Sequence, residues 1–87
     1  MSQVYEGEAY SNMTATTSIA NARKLLGIMV ASASSTPTIK VGEGSTTIVN
    51  TFTPLAGTFY PMPCTFGKNG LTVTISGTVD CTVFWGQ

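Results

Sequence analysis

The side chains able to do chemistry are few. The chain has no histidine, two cysteines, four acidic residues and four basic ones. Nucleophilic catalysis needs a Ser, Thr or Cys with a base beside it, most often His. Without His, only a Ser–Lys or Cys–carboxylate site assembled from distant segments could serve. A glycosidase-type carboxylate pair has one close candidate, Glu6 and Glu8. Both lie in a polar segment with nothing to strip water from them, so a solvated face is the better reading. The run "GEGS" has the glycines of a phosphate loop but neither the Lys-Ser/Thr nor the helix start that such a loop requires. Cys64 and Cys81 form no C-x-x-C pair and have no metal-ligand spacing. Cys81 falls in an apolar stripe and reads as a small core residue. A bridge to Cys64 stays open, since it requires Cα atoms within ~4.4–6.8 Å. The expectation is a protein that is not an enzyme, with no catalytic residue, metal or cofactor.

Composition points toward adhesion. Charged residues are 9% of the chain and the net charge is zero, against ~25% charged in typical soluble domains. Nucleic-acid binding needs a basic patch that displaces counterions, and Arg23-Lys24 is the one adjacent basic pair, so no nucleic-acid partner is expected. Low charge also weakens repulsion between copies. A chain of 87 residues fits one domain and buries only ~60–65% of its unfolded surface. Disulfides, metals or oligomerisation commonly support domains of this size, and here oligomerisation, or docking on a larger surface, is the route left. No apolar run reaches the ~18 residues of a membrane span. The opening "MSQVYEGEAYS" lacks a basic region followed by an apolar run, which predicts synthesis in a cytoplasm, where thiols stay reduced.

The elements that would position these residues read as strands. Hydrophobic residues are 43% of the chain, Thr is abundant, and β-branched side chains fit a pleated surface. Residues 1–18 read as an N-terminal arm or edge strand, with Val4, Tyr5 and Tyr10 as its apolar anchors, or equally as a frayed terminus. Residues 19–87 read as the domain proper. Within it, Lys24 to about Ala33 favours a strand, although Ile19, Ala22, Leu25, Leu26 and Met29 also have helical spacing. "PTIKV" is a short strand, "GEGS" a turn, and "TTIVNTFTPL" a strand with Ile48, Asn50 and Phe52 on one face and Val49, Thr51 and Thr53 on the other. "AGTFYPMPCTF" is an edge strand or a packed loop, because Pro61 and Pro63 lack ladder donors. "GKNG" predicts a tight hairpin. "GLTVTISGTVDCTVFWG" then predicts a second one, with Leu71, Val73 and Ile75, and beyond the "SGT" turn Val79, Cys81, Val83 and Trp85, on its apolar side. The prediction is an all-β fold: a small β-sandwich or jelly roll of about seven to eight short antiparallel strands.

Trp85, Phe66 and Phe52 read as core. Tyr5, Tyr10, Tyr60 and Phe84 fall where alternation points outward or into loops. Exposed aromatics suit interfaces because they bury large area at small entropic cost; the plain alternative is that they cap the ends of a small core. With Val4 and the basic pair Arg23 and Lys24, they make up the expected interface with a larger assembly or with another subunit.

The stretches "LLGIMVASASSTPTIKV", "PLAGTFYPMPCTFGKNGLTVTISGT" and "DCTVFW" together resemble small virion proteins of tailed bacteriophages, over most of the chain from about Ala20 onward. The resemblance implies a jelly-roll or related β-sandwich module. It further implies a head decoration (cement) protein, commonly a homotrimer, that binds the major capsid protein on the capsid surface after synthesis in the host cytoplasm. The alternative is a fibre or tail-tip module that recognises a host surface glycan or protein. Neither role supplies a catalytic residue to carry over.

Overall fold

The computed structural model describes residues 8–87, which are all-β with no helix among them. Six antiparallel strands make up the fold: β1 (Glu8–Met13), β2 (Thr17–Ile19), β3 (Lys24–Glu43), β4 (Thr46–Phe52), β5 (Thr58–Thr65) and β6 (Leu71–Gly86). Two of them are too long to be straight. β3 has 20 residues and β6 has 16. Straight strands of those lengths would span roughly 66 and 53 Å at ~3.3 Å per residue, yet the longest dimension is 41 Å.

The two long strands pair with each other along nearly their whole length, with register irregularities at Leu25/Gly27, Val30/Ser32 and Ser34/Thr38, and the widest of these marks the bend. The register slips between Ser34 and Thr38 on β3, directly across from Ser76–Thr78 on β6. Gly77 supplies a φ of 80° and Thr36 a φ of 51°. The glycine takes this conformation freely, whereas a β-branched residue takes it at a cost of ~1–2 kcal/mol. β1 and β2 follow the same bend along β6. Between them, the Thr16 hydroxyl accepts from the Ile75 N–H at 3.0 Å and donates to the Ile75 carbonyl at 3.4 Å, standing in for a ladder partner where the strand is interrupted.

The bent ribbon generates two four-stranded halves. One runs β1, β6, β3, β5 and uses residues 78–86 of β6 and 24–34 of β3. The other runs β2, β6, β3, β4 and uses residues 71–76 and 38–43. Their inner faces share one core, in which Leu25, Ile28, Val30, Ile39, Val41, Leu71, Val73, Val79, Cys81 and Val83 are all at most 1% exposed. The radius of gyration, 12.4 Å, matches the ~12 Å of a compact chain of this length. The ribbon is therefore folded back on itself as a small sandwich-like, curled sheet. Counted as arms, the two halves contain the short strands read from the sequence, and residues 24–33 are strand.

Three local expectations are corrected. Residues 70–86 are not a hairpin: the "SGT" segment bends the chain without reversing it, because residues 71–76 and 79–85 each find a longer apolar partner in β3 than in one another. The "GKNG" segment is no hairpin either. A two-residue turn of type I′ needs positive φ at both central residues, and here Gly70 has it (79°) while Asn69 does not. The segment instead crosses from β5, in the first half, to the start of β6, in the second. On β4, register shifts place Val49 opposite Val41 and Phe52 opposite Ile39, so these two share the inner side instead of alternating. The "GEGS" turn does form a hairpin, with Gly44 at φ 58° between the paired Glu43 and Thr46. The expected boundary after residue 18 falls inside β2, and residues 8–13 and 17–19 are edge strands of the two halves.

Gly77 gives a direct test of the bend. Gly77→Val places a β-branched residue at φ 80° and is expected to cost about 1–2 kcal/mol, read as a lower urea midpoint with an unchanged slope.

Candidate interaction surface

The first half presents an apolar outer face built by cross-strand register. One row runs Tyr10, Phe84, Gly27, Pro61; the next runs Asn12, Thr82, Met29, Phe59. Gly27 leaves a gap in the first row that the Phe59 ring fills from the diagonal. A Cβ at position 27 would fall 2.4 Å from that ring and 2.8 Å from the Tyr60 carbonyl oxygen. The Phe59 ring also meets Phe84 edge-on, with centroids 6.3 Å apart, an arrangement that aromatic quadrupoles favour. Tyr10 is 66% exposed, Phe59 47% and Met29 37%. Beside them the Thr82 hydroxyl donates to Asn12 Oδ1 at 2.6 Å, which holds the second row flat. No charged side chain occupies either row.

The expected interface residues divide accordingly. Tyr10 and Phe84 come together in one row. Lys24 lies in the adjacent row, opposite Gly86 and Thr65. Arg23 sits just before β3, and its guanidinium donates to the carbonyls of Ala20 at 3.0 Å and Ala22 at 2.8 Å, so it braces the β2–β3 connection. Tyr60 belongs to the other side of β5: its ring packs on Phe52 at 5.1 Å, and its hydroxyl accepts from the Leu55 N–H at 2.9 Å. Val4 and Tyr5 lie outside the described residues. Sequence reasoning missed Phe59, Met29 and Pro61. The alternation of β5 puts Phe59 and Tyr60 on opposite faces, and the structure turns residues 58, 60, 62 and 64 inward.

The outer face of the second half is chemically different. It carries Thr72 and Thr74 of β6 across from Gly42 and Lys40 of β3. A cleft of about 110 Å³ opens there, lined also by Gly44, Ser45, Thr46 and Thr47 of the β3–β4 hairpin.

The polar and sulfur groups near the core are accounted for internally. Trp85 is half-buried at one end of the core and donates from Nε1 to Ser11 Oγ at 3.1 Å. Cys64 and Cys81 are free thiols. They sit on strands flanking β3 from opposite sides, opposite Leu25 and Val30 respectively. Two strand spacings, about 9–10 Å, exceed the reach of a disulfide. Burial, with a smaller contribution from the neighbouring Asp80 carboxylate, pushes the Cys81 thiol above its ordinary range. The unfolded chain therefore loses that proton before the folded one does, and the stability tied to it is full at neutral pH and falls as pH rises past about 9. Cys81→Ala is expected to remove this alkaline decline, measured by thermal unfolding between pH 7 and 10. In the wild-type protein a thiol reagent should label half-buried Cys64 first and Cys81 only on opening.

Among the described residues no three His, Cys, Asp or Glu side chains gather where they could hold a metal ion, and no helix is long and apolar enough to cross a membrane. Neither a protein-family model nor a curated protein matches this chain.

Proposed function

We propose that this chain is a structural protein of a phage virion, a capsid decoration protein that binds and stabilises the major capsid protein lattice as a homo-oligomer, most simply a trimer. One observation carries this reading. Tyr10, Phe59 and Met29, three large apolar side chains that a lone soluble domain would ordinarily cover, stand together in two adjacent rows of one sheet face that hold no charged side chain. Large contiguous apolar patches mark interaction sites, and aromatic residues dominate the energetics of such sites. The low overall charge suits a protein that works packed against copies and neighbours. Among the described residues the connections between strands are short, so little entropy is lost to loop ordering on docking. A lattice of identical sites multiplies a weak single contact through avidity.

The test is cosedimentation of the purified chain with expanded heads of the phage that encodes it, with its copy number determined. Saturable binding at hundreds of copies per head is expected. A monodisperse monomer that leaves heads bare, or a handful of copies confined to the tail, overturns the reading.

A further inference from the structure

The geometry points to a second site, independent of the capsid role: the cleft on the outer face of the second half binds a small oxyanion, the sulfate, phosphate or carboxylate group of a larger ligand or of a free ion. Its shape follows from Gly42. In the outward row, Thr72 and Thr47 flank position 42, and the missing side chain leaves a dent between them. A side chain cannot fill that dent without disturbing the hairpin, since a Cβ there would lie 2.8 Å from the Thr46 carbonyl oxygen. In the next row Lys40 lies opposite Thr74.

The lining is rich in donors. Lys40 is the one charged residue of the lining, beside the hydroxyl residues Ser45, Thr46, Thr47, Thr72 and Thr74; an ammonium offers three donors and each hydroxyl one, and the Thr72 hydroxyl already shares a hydrogen bond with Ser18 Oγ at 3.2 Å. No acidic side chain lines the cleft. The carboxylate closest to the hairpin in sequence, Glu43, is turned away to accept from the Gly67 N–H at 3.0 Å. No aromatic ring lines it either, so it lacks the stacking platform that a neutral sugar ring would use. Volume narrows the ligand further. About 110 Å³ is several times the ~10–15 Å³ needed for one water, and well below the ~300–1,000 Å³ of sites that enclose drug-sized molecules. The cleft therefore accommodates one anionic group and leaves the rest of any ligand outside.

The experiment is an amide chemical-shift titration of the full chain with sodium sulfate, against sodium chloride at matched ionic strength. Saturable shifts confined to residues 40–47 and 72–74 are expected. Lys40→Met should weaken binding about tenfold or more, as loss of a charge-assisted hydrogen bond does. Thr74→Val, which keeps shape and strand preference, should weaken it severalfold, and Lys68→Met, a surface lysine outside the cleft, should leave it unchanged. A parallel titration compares methyl glucuronide with methyl glucoside. Tighter binding of the glucuronide than of sulfate assigns the anion to a saccharide, and the reverse assigns it to a free ion or ester; both support the site. Shifts that grow linearly with salt, equal weakening by Lys40→Met and Lys68→Met, or glucoside binding as tightly as glucuronide would overturn it. Head binding is measured separately, so either proposal can fail alone.

Discussion

Replacing Tyr10 and Phe59 together by serine is expected to abolish retention on heads while the protein stays folded. The two side chains come from opposite edges of the first half, β1 and β5, and bracket the apolar face. Burying an aromatic or aliphatic side chain of this size contributes about 1.5–3 kcal/mol. Losing two such contributions from one contact lowers its affinity by a factor of about 10²–10⁴, and avidity amplifies the loss across a lattice. The folded state tolerates the change unequally. Tyr10 is 66% exposed, so Tyr10→Ser should stay within ~0.5 kcal/mol of wild type in stability. Phe59 covers Gly27 and touches Phe84, so Phe59→Ser should cost about 1 kcal/mol. Circular dichroism and thermal melts separate folding from binding. A double variant that is folded and still bound at wild-type occupancy would refute the assignment of this face.

Ile28→Ala is expected to give the largest loss of stability, about 2–5 kcal/mol, and to lower the melting temperature by roughly 10 °C or more for a domain of this size. Ile28 is fully buried and lies in the middle of the first half, opposite Val83 on one side and Tyr60 on the other. Both neighbouring strands are anchored through it. The sheet cannot collapse into the space left behind, because β3 is hydrogen-bonded on both flanks. Cavity cost therefore adds to the lost transfer energy. Loss of less than ~1 kcal/mol would mean that the two halves do not pack on a common core. Met29, its neighbour in sequence, points to the opposite face and is 37% exposed; Met29→Ala should barely move stability, which makes the pair an internal test of the register.

Much of the fold is legible in the residues. Leu71, Val73 and Ile75, followed by Val79, Cys81, Val83 and Trp85, fix the inner face of β6 through their period of two, and the structure keeps that face inward. Pro61 and Pro63 confine β5 to an edge, since neither can donate to a ladder on both sides, and β5 pairs with β3 alone. The outward direction of Phe84 follows from the same alternation. Half of the candidate surface was readable on these grounds, through Tyr10 and Phe84. The other half was not. Phe59 and Tyr60 are adjacent, so one must face in and the other out, and residue type alone favours the tyrosine as the exposed one. The Leu55 N–H reverses that preference by giving the Tyr60 hydroxyl a partner within the fold.

That this chain is built of strands, which side chains alternate inward, and where glycine and proline interrupt them can be read from the residues alone, because these depend on local sterics and on a period of two. What the interruptions do follows from packing between segments far apart in the chain. Ser76-Gly77-Thr78 can close a hairpin or bend a long strand with the same residues, since Gly77 supplies a positive φ in either case. The outcome rests on which apolar ladder is longer, and β3, twenty residues long, offers a partner to both arms of β6, on either side of the register break between Ser34 and Thr38. That choice folds a single ribbon into two halves, turns an aromatic row out on one side and a hydroxyl-lined cleft out on the other, and so sets both surfaces on which the proposed functions stand.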